Sequence, residues 1–113
     1  MSAITTHVLD TTMGRPAARV PVMLEFLSAQ GWQTLGQGTT DEDGRLRNLL
    51  PRDFKLAPGV YRLTFDTGVY FGMQGVESFY PHAMVCFNVR DTGAHYHVPL
   101  LLSPYGYSTY RGS

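Results

Sequence analysis

Apolar and polar positions alternate with a period of two wherever this sequence has a clear pattern, and that period marks strands with one face buried. Val20, Val22, Leu24 and Phe26 alternate with Pro21, Met23 and Glu25, and Tyr61, Leu63 and Phe65 alternate with Arg62, Thr64 and Asp66. Ala83, Val85, Phe87 and Val89 alternate with Met84, Cys86 and Asn88, and Tyr96, Val98, Leu100 and Leu102 make a fourth set. Residues that tolerate tight or left-handed backbone fall between the runs: Gly14-Arg15-Pro16, Asp41-Glu42-Asp43-Gly44, Pro58-Gly59 and Asp91-Thr92-Gly93. Short strands divided by such turns predict an all-β fold, a β-sandwich. One stretch departs from the pattern. From Asp66 to Val76, Val69, Tyr70, Met73 and Val76 recur near helical spacing and predict one short helix, with Gly68, Gly72 and Gly75 working against it.

A chain of 113 residues is the size of one domain, so residues 1–113 are read as a single unit. No repeat, low-complexity tract or linker divides it, and any active site must lie within this domain or between copies of it. Nine Lys+Arg against nine Asp+Glu leave no single-sign field, which argues against nucleic acid and membrane surfaces as partners. Cys86 is the only cysteine, so no internal disulfide is available and a reducing compartment fits. No apolar run approaches the ~20 residues that span a bilayer, and the first residues lack a basic stretch followed by an apolar one. These features predict a soluble, cytoplasmic protein.

Candidate chemistry gathers at three places. In Ala94-His95-Tyr96-His97-Val98-Pro99, both histidines fall on the strand face opposite Tyr96, Val98, Leu100 and Leu102. That face is free to meet a ligand or a partner subunit, and Pro99 fits a position where a missing donor does no harm. Imidazole changes charge near neutral pH, so these residues could be acid, base or zinc ligands, although a histidine pair is more often simply solvated. Two ligands do not make a zinc site, and a third would have to be His7 or a carboxylate. His7 shares a face with Thr5 and Leu9 while Ile4, Thr6 and Val8 take the other; a partly buried structural histidine is the ordinary reading. Arg45 follows the turn Asp43-Gly44, where an arginine is usually solvated, but a guanidinium fork there can also grip a planar, oxygen-rich substrate. The sequence closes on Pro104-Tyr105-Gly106-Tyr107-Ser108-Thr109-Tyr110-Arg111-Gly112-Ser113, dense in aromatics where ends usually fray, which predicts a tail packed in place.

Thr6-His7-Val8-Leu9-Asp10 with Gly14-Arg15-Pro16-Ala17, Asp43-Gly44-Arg45, and the run from His95 to Ser113 together resemble the 5-hydroxyisourate hydrolases, the transthyretin-related proteins. The terminal Tyr110-Arg111-Gly112-Ser113 is the most specific of these elements, because it separates the hydrolases from transthyretin. The resemblance implies a sandwich of two four-stranded sheets with one short helix, assembled as a homotetramer, a dimer of dimers around a central channel. It places His7, Arg45, His97 and the tetrapeptide in an active site at the interface between dimers. The alternative it carries is a transthyretin-like binding protein without turnover, which would want an apolar channel instead. The expected location is cytoplasmic, with the peroxisome the alternative in a eukaryotic cell.

Hydrolysis of 5-hydroxyisourate needs a base for water and a stabiliser for the oxyanion, and requires neither metal nor cofactor. An imidazole with a pKa of about 6.5 can take the water's proton at neutral pH. Spacing does not assign the roles of His7 and His97; His7 is preferred as base. Arg45 would grip substrate oxygens and counter the developing charge. Tyr110 and Arg111 would contact the ring, and Ser113, with its hydroxyl and carboxylate, would position the water.

Overall fold

The computed structural model describes residues 2–113. Its strands are β1 (Ile4–Asp10), β2 (Arg15–Pro16), β3 (Pro21–Ser28), β4 (Gly31–Thr39), β5 (Arg45–Leu46), β6 (Gly59–Phe65), β7 (Ala83–Val89), β8 (Tyr96–Ser103) and β9 (Gly106–Thr109), with helix α1 (Thr67–Met73) between β6 and β7. They form two sheets. The second sheet runs β4-β3-β6-β7, antiparallel throughout. The first holds β1 parallel to β8 and β8 antiparallel to β9, while the other edge of β1 is shared by two short segments. β5 pairs at Thr6↔Leu46 and His7↔Arg45, and β2 pairs at Leu9↔Pro16 and Asp10↔Arg15. Thus the first sheet has five strands but is four ranks wide, because β5 and β2 occupy successive halves of one rank.

The alternation seen in sequence is the partition between core and outer face. Ile4, Val8, Leu24, Leu63, Phe65, Leu100 and Leu102 are all at most 2 % exposed and fill the space between the sheets. Burying each such side chain contributes roughly 1.5–3 kcal/mol. The turn before β5 depends on Gly44, whose φ is 74°; a Cβ there would stand 2.3 Å from the Val8 carbonyl oxygen. The Val8 N–H donates to the Gly44 carbonyl at 2.7 Å, and this close approach seats β5 against β1.

The helix is shorter than its apolar spacing suggests. Gly75 at φ 68° lies just beyond its end, and Val69, Met73 and Val76 are exposed while Tyr70 and Phe71 turn inward. The Tyr70 hydroxyl donates to Asp10 Oδ2 at 2.7 Å, and Asp10 Oδ1 accepts the amides of Thr12 and Met13 at 3.0 Å each. This buried carboxylate fixes the helix to the end of β1. Among the described residues no helix is long and apolar enough to cross a membrane.

Candidate active site

The outer face of the first sheet carries the histidines. Thr5 and His7 are two positions apart on β1 and so project to one side. Thr5 pairs across with His97 of β8, and His7 pairs with Arg45 of β5 and with Pro99 of β8. Directly opposed residues share a face, so three separate strands deliver Thr5, His7, Arg45 and His97 to the same surface. There Thr5, Thr6, Arg45, Arg47, His95, His97 and Ser113 line an open hollow of about 160 Å³. A larger groove of about 420 Å³ lies beside Arg15, Arg19, Glu42, Tyr70 and Gln74. It is the weaker candidate for chemistry, because Arg19 and Glu42 neutralise each other and no histidine lines it.

Thr5 is the residue that the sequence reading passed over. Its side chain is on the histidine face although the residue is only 3 % exposed, and its Oγ1 lies 2.8 Å from His97 Nδ1 and 3.2 Å from His95 Nε2. The two rings stack with centroids 6.5 Å apart and planes 15° from parallel. The signal was the shared alternation of Thr5 and His7; what hid its meaning was that its partners lie about ninety residues away in sequence. Arg47, two positions beyond Arg45, could have been found by the same alternation.

The electrostatics favour neutral imidazoles. Burial, then the neighbouring Arg45 guanidinium, hold His7 below the ordinary imidazole value, against a backbone hydrogen bond to Asp43 that works the other way. His97 is lowered by burial first, then by Arg45, His7 and His95. Arg45 can act on both rings because, among the described residues, its guanidinium has no carboxylate partner. Nearby Asp41 is engaged otherwise: Oδ1 accepts the Arg45 and Asp43 amides at 3.0 and 2.8 Å, and Oδ2 meets Arg47 Nη1 at 3.4 Å. His7 Nε2 lies 2.9 Å from the Asp43 carbonyl, which only accepts, so this nitrogen carries a hydrogen.

The tail reaches the site through its glycine. Gly112 bridges to His97, its N–H donating to the His97 carbonyl at 2.8 Å, and a Cβ on it would fall 2.5 Å from His97 Cδ2. Only a glycine fits against that ring. Since Gly112 faces the histidine side, Arg111 beside it turns to the other: its guanidinium lies 4.5 Å above the Tyr96 ring, and Nη2 donates to the His95 carbonyl at 3.4 Å. Tyr110 and Arg111 therefore line a separate groove with Val85, Phe87 and Tyr96. Of the residues singled out in sequence, Arg45, His97 and Ser113 line the hollow and His7 stands beside Arg45 at its edge, whereas Tyr110 and Arg111 do not line it. Among the described residues no three of His, Cys, Asp and Glu stand together as metal ligands.

Residues 4–112 match the family described as HIUase/Transthyretin family. The chain is 49 % identical to the 5-hydroxyisourate hydrolase of Salmonella dublin over 110 residues, which is 97 % of this chain and 80 % of that protein. Its fold superposes on Klebsiella pneumoniae 5-hydroxyisourate hydrolase with a TM-score of 0.84 at 37 % identity, covering 97 % of this chain and 98 % of that one. It is similar as well to sea bream transthyretin in complex with thyroxine, with a TM-score of 0.88 at 34 % identity over 97 % of this chain and 94 % of the other. Sandwich, single short helix and near-complete coverage agree, and the chain belongs to the HIUase/Transthyretin family.

Proposed function

We propose that this protein is an enzyme that hydrolyses 5-hydroxyisourate to 2-oxo-4-hydroxy-4-carboxy-5-ureidoimidazoline, a step of urate degradation. The observation that carries the reading is the meeting, on a single sheet face, of two imidazoles whose protonation is disfavoured with one arginine that has no carboxylate partner among the described residues. Relatives of both kinds share the fold, so the fold alone does not choose between turnover and binding. The charged, hydrogen-bonding hollow favours turnover over a transthyretin-like binding role, which calls for apolar walls.

In this reading water attacks a ring carbonyl of the substrate and the adjacent C–N bond breaks. A neutral imidazole takes the proton from water and returns it to the departing ring nitrogen as the C–N bond breaks, and Arg45 counters the charge that develops on the carbonyl oxygen. We read His97 rather than His7 as the base, and two contacts support the choice. His97 lines the hollow, whereas the outer nitrogen of His7 already donates to the Asp43 carbonyl. His7 then helps to keep His97 neutral and orients water or substrate. Ser113, on the rim, positions the water. The hollow is open, and catalysis gains from excluding bulk water. A second copy laid on this outer face would close it, consistent with a homotetramer whose sites lie between dimers, where Tyr110 and Arg111 of a neighbouring protomer could supply the contacts they do not make in their own.

The direct test generates 5-hydroxyisourate with urate oxidase and follows the loss of its ultraviolet absorbance with and without this protein. Acceleration well above spontaneous decay is the expected result. A decay rate unchanged by micromolar protein would rule the activity out.

A further inference from the structure

We propose that Thr5 is a positioning residue that decides which nitrogen of His97 is bare: its hydroxyl accepts a hydrogen bond from His97 Nδ1–H and donates its own proton to His95 Nε2. This deepens the hydrolase reading and rests on His97 being the base in it. The geometry supplies a hydroxyl between two imidazole nitrogens, 2.8 Å from one and 3.2 Å from the other. A threonine hydroxyl has a single proton to donate but two lone pairs with which to accept. With both rings neutral the hydroxyl could accept from both, but its own proton would then have no partner; placing that proton on one of the two rings leaves two arrangements. If Thr5 donates to His97 Nδ1, the neutral ring carries its proton on Nε2 and has no lone pair left for water. If His97 donates instead, Nε2 is bare and Thr5 passes its proton to His95.

Only the second arrangement makes His97 a base, and it also needs no rearrangement during the reaction. When water's proton arrives at Nε2, the Nδ1–H bond to Thr5 stays in place and strengthens as the ring becomes charged. His95 is then the residue that accepts the hydroxyl proton, its ring stacked on that of His97. The adjacent threonine shows what an ordinary buried hydroxyl does: Thr6 Oγ1 donates to the Val98 carbonyl at 2.6 Å. Thr5 has only imidazole partners. Gly112, packed against the Cδ2 edge of His97, holds the ring from its other side.

Thr5→Val preserves the β-branched shape and removes the hydroxyl, and Thr5→Ser restores it. The expected outcome is a fall in kcat of about tenfold for Thr5→Val, with KM within about twofold, and recovery to within about threefold of wild type in Thr5→Ser. Nitrogen-15 spectra of the substrate-free wild-type protein, recorded above the histidine titration range, should show His97 protonated at Nδ1 and bare at Nε2. In Thr5→Val that signature should be lost. A wild-type His97 protonated at Nε2, or a folded Thr5→Val with unchanged kcat, would overturn the proposal. Should Thr5→Val fail to fold, the wild-type tautomer and the Thr5→Ser rate still decide it. If the wild-type protein shows no turnover, the hydrolase reading fails separately, and the tautomer, measured without substrate, still judges the role of Thr5.

Discussion

The two sheets each present an arginine on their outer face, and they treat it in opposite ways. On the second sheet Arg62 is directly across from Glu25, with Nε and Nη2 at 2.9 and 2.8 Å from one carboxylate oxygen and Trp32 covering the guanidinium at 4.0 Å. Its charge is neutralised and its donors are used. On the first sheet Arg45 is across from His7 and has no such partner among the described residues. A positive charge left without a counter-ion keeps neighbouring imidazoles neutral and remains available to an oxygen-rich ligand. The difference teaches that a charged residue in an alternating strand is informative only once its cross-strand neighbour is known. Glu25 makes Arg62 structural, and His7 makes Arg45 a candidate for chemistry.

The strongest way to break this comparison is to remove the site's own groups. His97→Asn, Arg45→Gln and His7→Asn should each lower kcat/KM by about a hundredfold or more while the fold persists. Steady-state rates with freshly generated substrate check this, and any variant with a near-normal rate leaves the catalytic set. Arg62→Gln serves as the control and should leave turnover intact.

Gly112→Ala comes next. The added Cβ must displace the His97 ring, and a shift of the order of 1 Å in a reacting group lowers the rate by about ten- to a hundredfold. A crystal structure of the variant should show the ring moved. An unmoved ring with full activity would mean that the tail does not hold the base in place.

Removing Glu25 acts on stability instead. Glu25→Gln strands a largely covered guanidinium and should cost about 1–3 kcal/mol in chemical denaturation, with kcat unchanged. If activity fell in step with stability, the two faces would not be independent.

The smallest effect concerns pH. Both histidines are lowered from 6.5, so the acid limb of kcat/KM should fall below that value. The groups facing His97 are Arg45, His7 and His95; those facing His7 are Arg45 and Arg47, opposed by Asp41 and the Asp43 carbonyl. In residual Arg45→Gln activity the limb should move upward, because a positive charge has gone. Stability follows the same sign: the folded state binds fewer protons here than the unfolded chain, so this contribution is present above pH 6.5 and is lost as pH falls toward the depressed values. A limb above 6.5 in the wild type would contradict the electrostatic account.

By itself the sequence determined the fold class, the one helix, the face on which each histidine lies, and a resemblance specific enough to name the chemistry. It could do so because alternation, turn residues and short motifs are local, and burial of one strand face is decided within a few residues. Tertiary structure decided the rest. That Thr5 lies between two histidines ninety or more positions distant, that Arg45 stands beside His7 and lacks a carboxylate partner among the described residues, and that β5 and β2 share one rank follow from strand register. Register is a non-local property, set by which core residues meet when the sheets pack. Arg111 shows the same limit within a single motif: Gly112 pairs with His97, so the arginine next to it turns to Tyr96, and four contiguous residues are divided between two surfaces of the molecule.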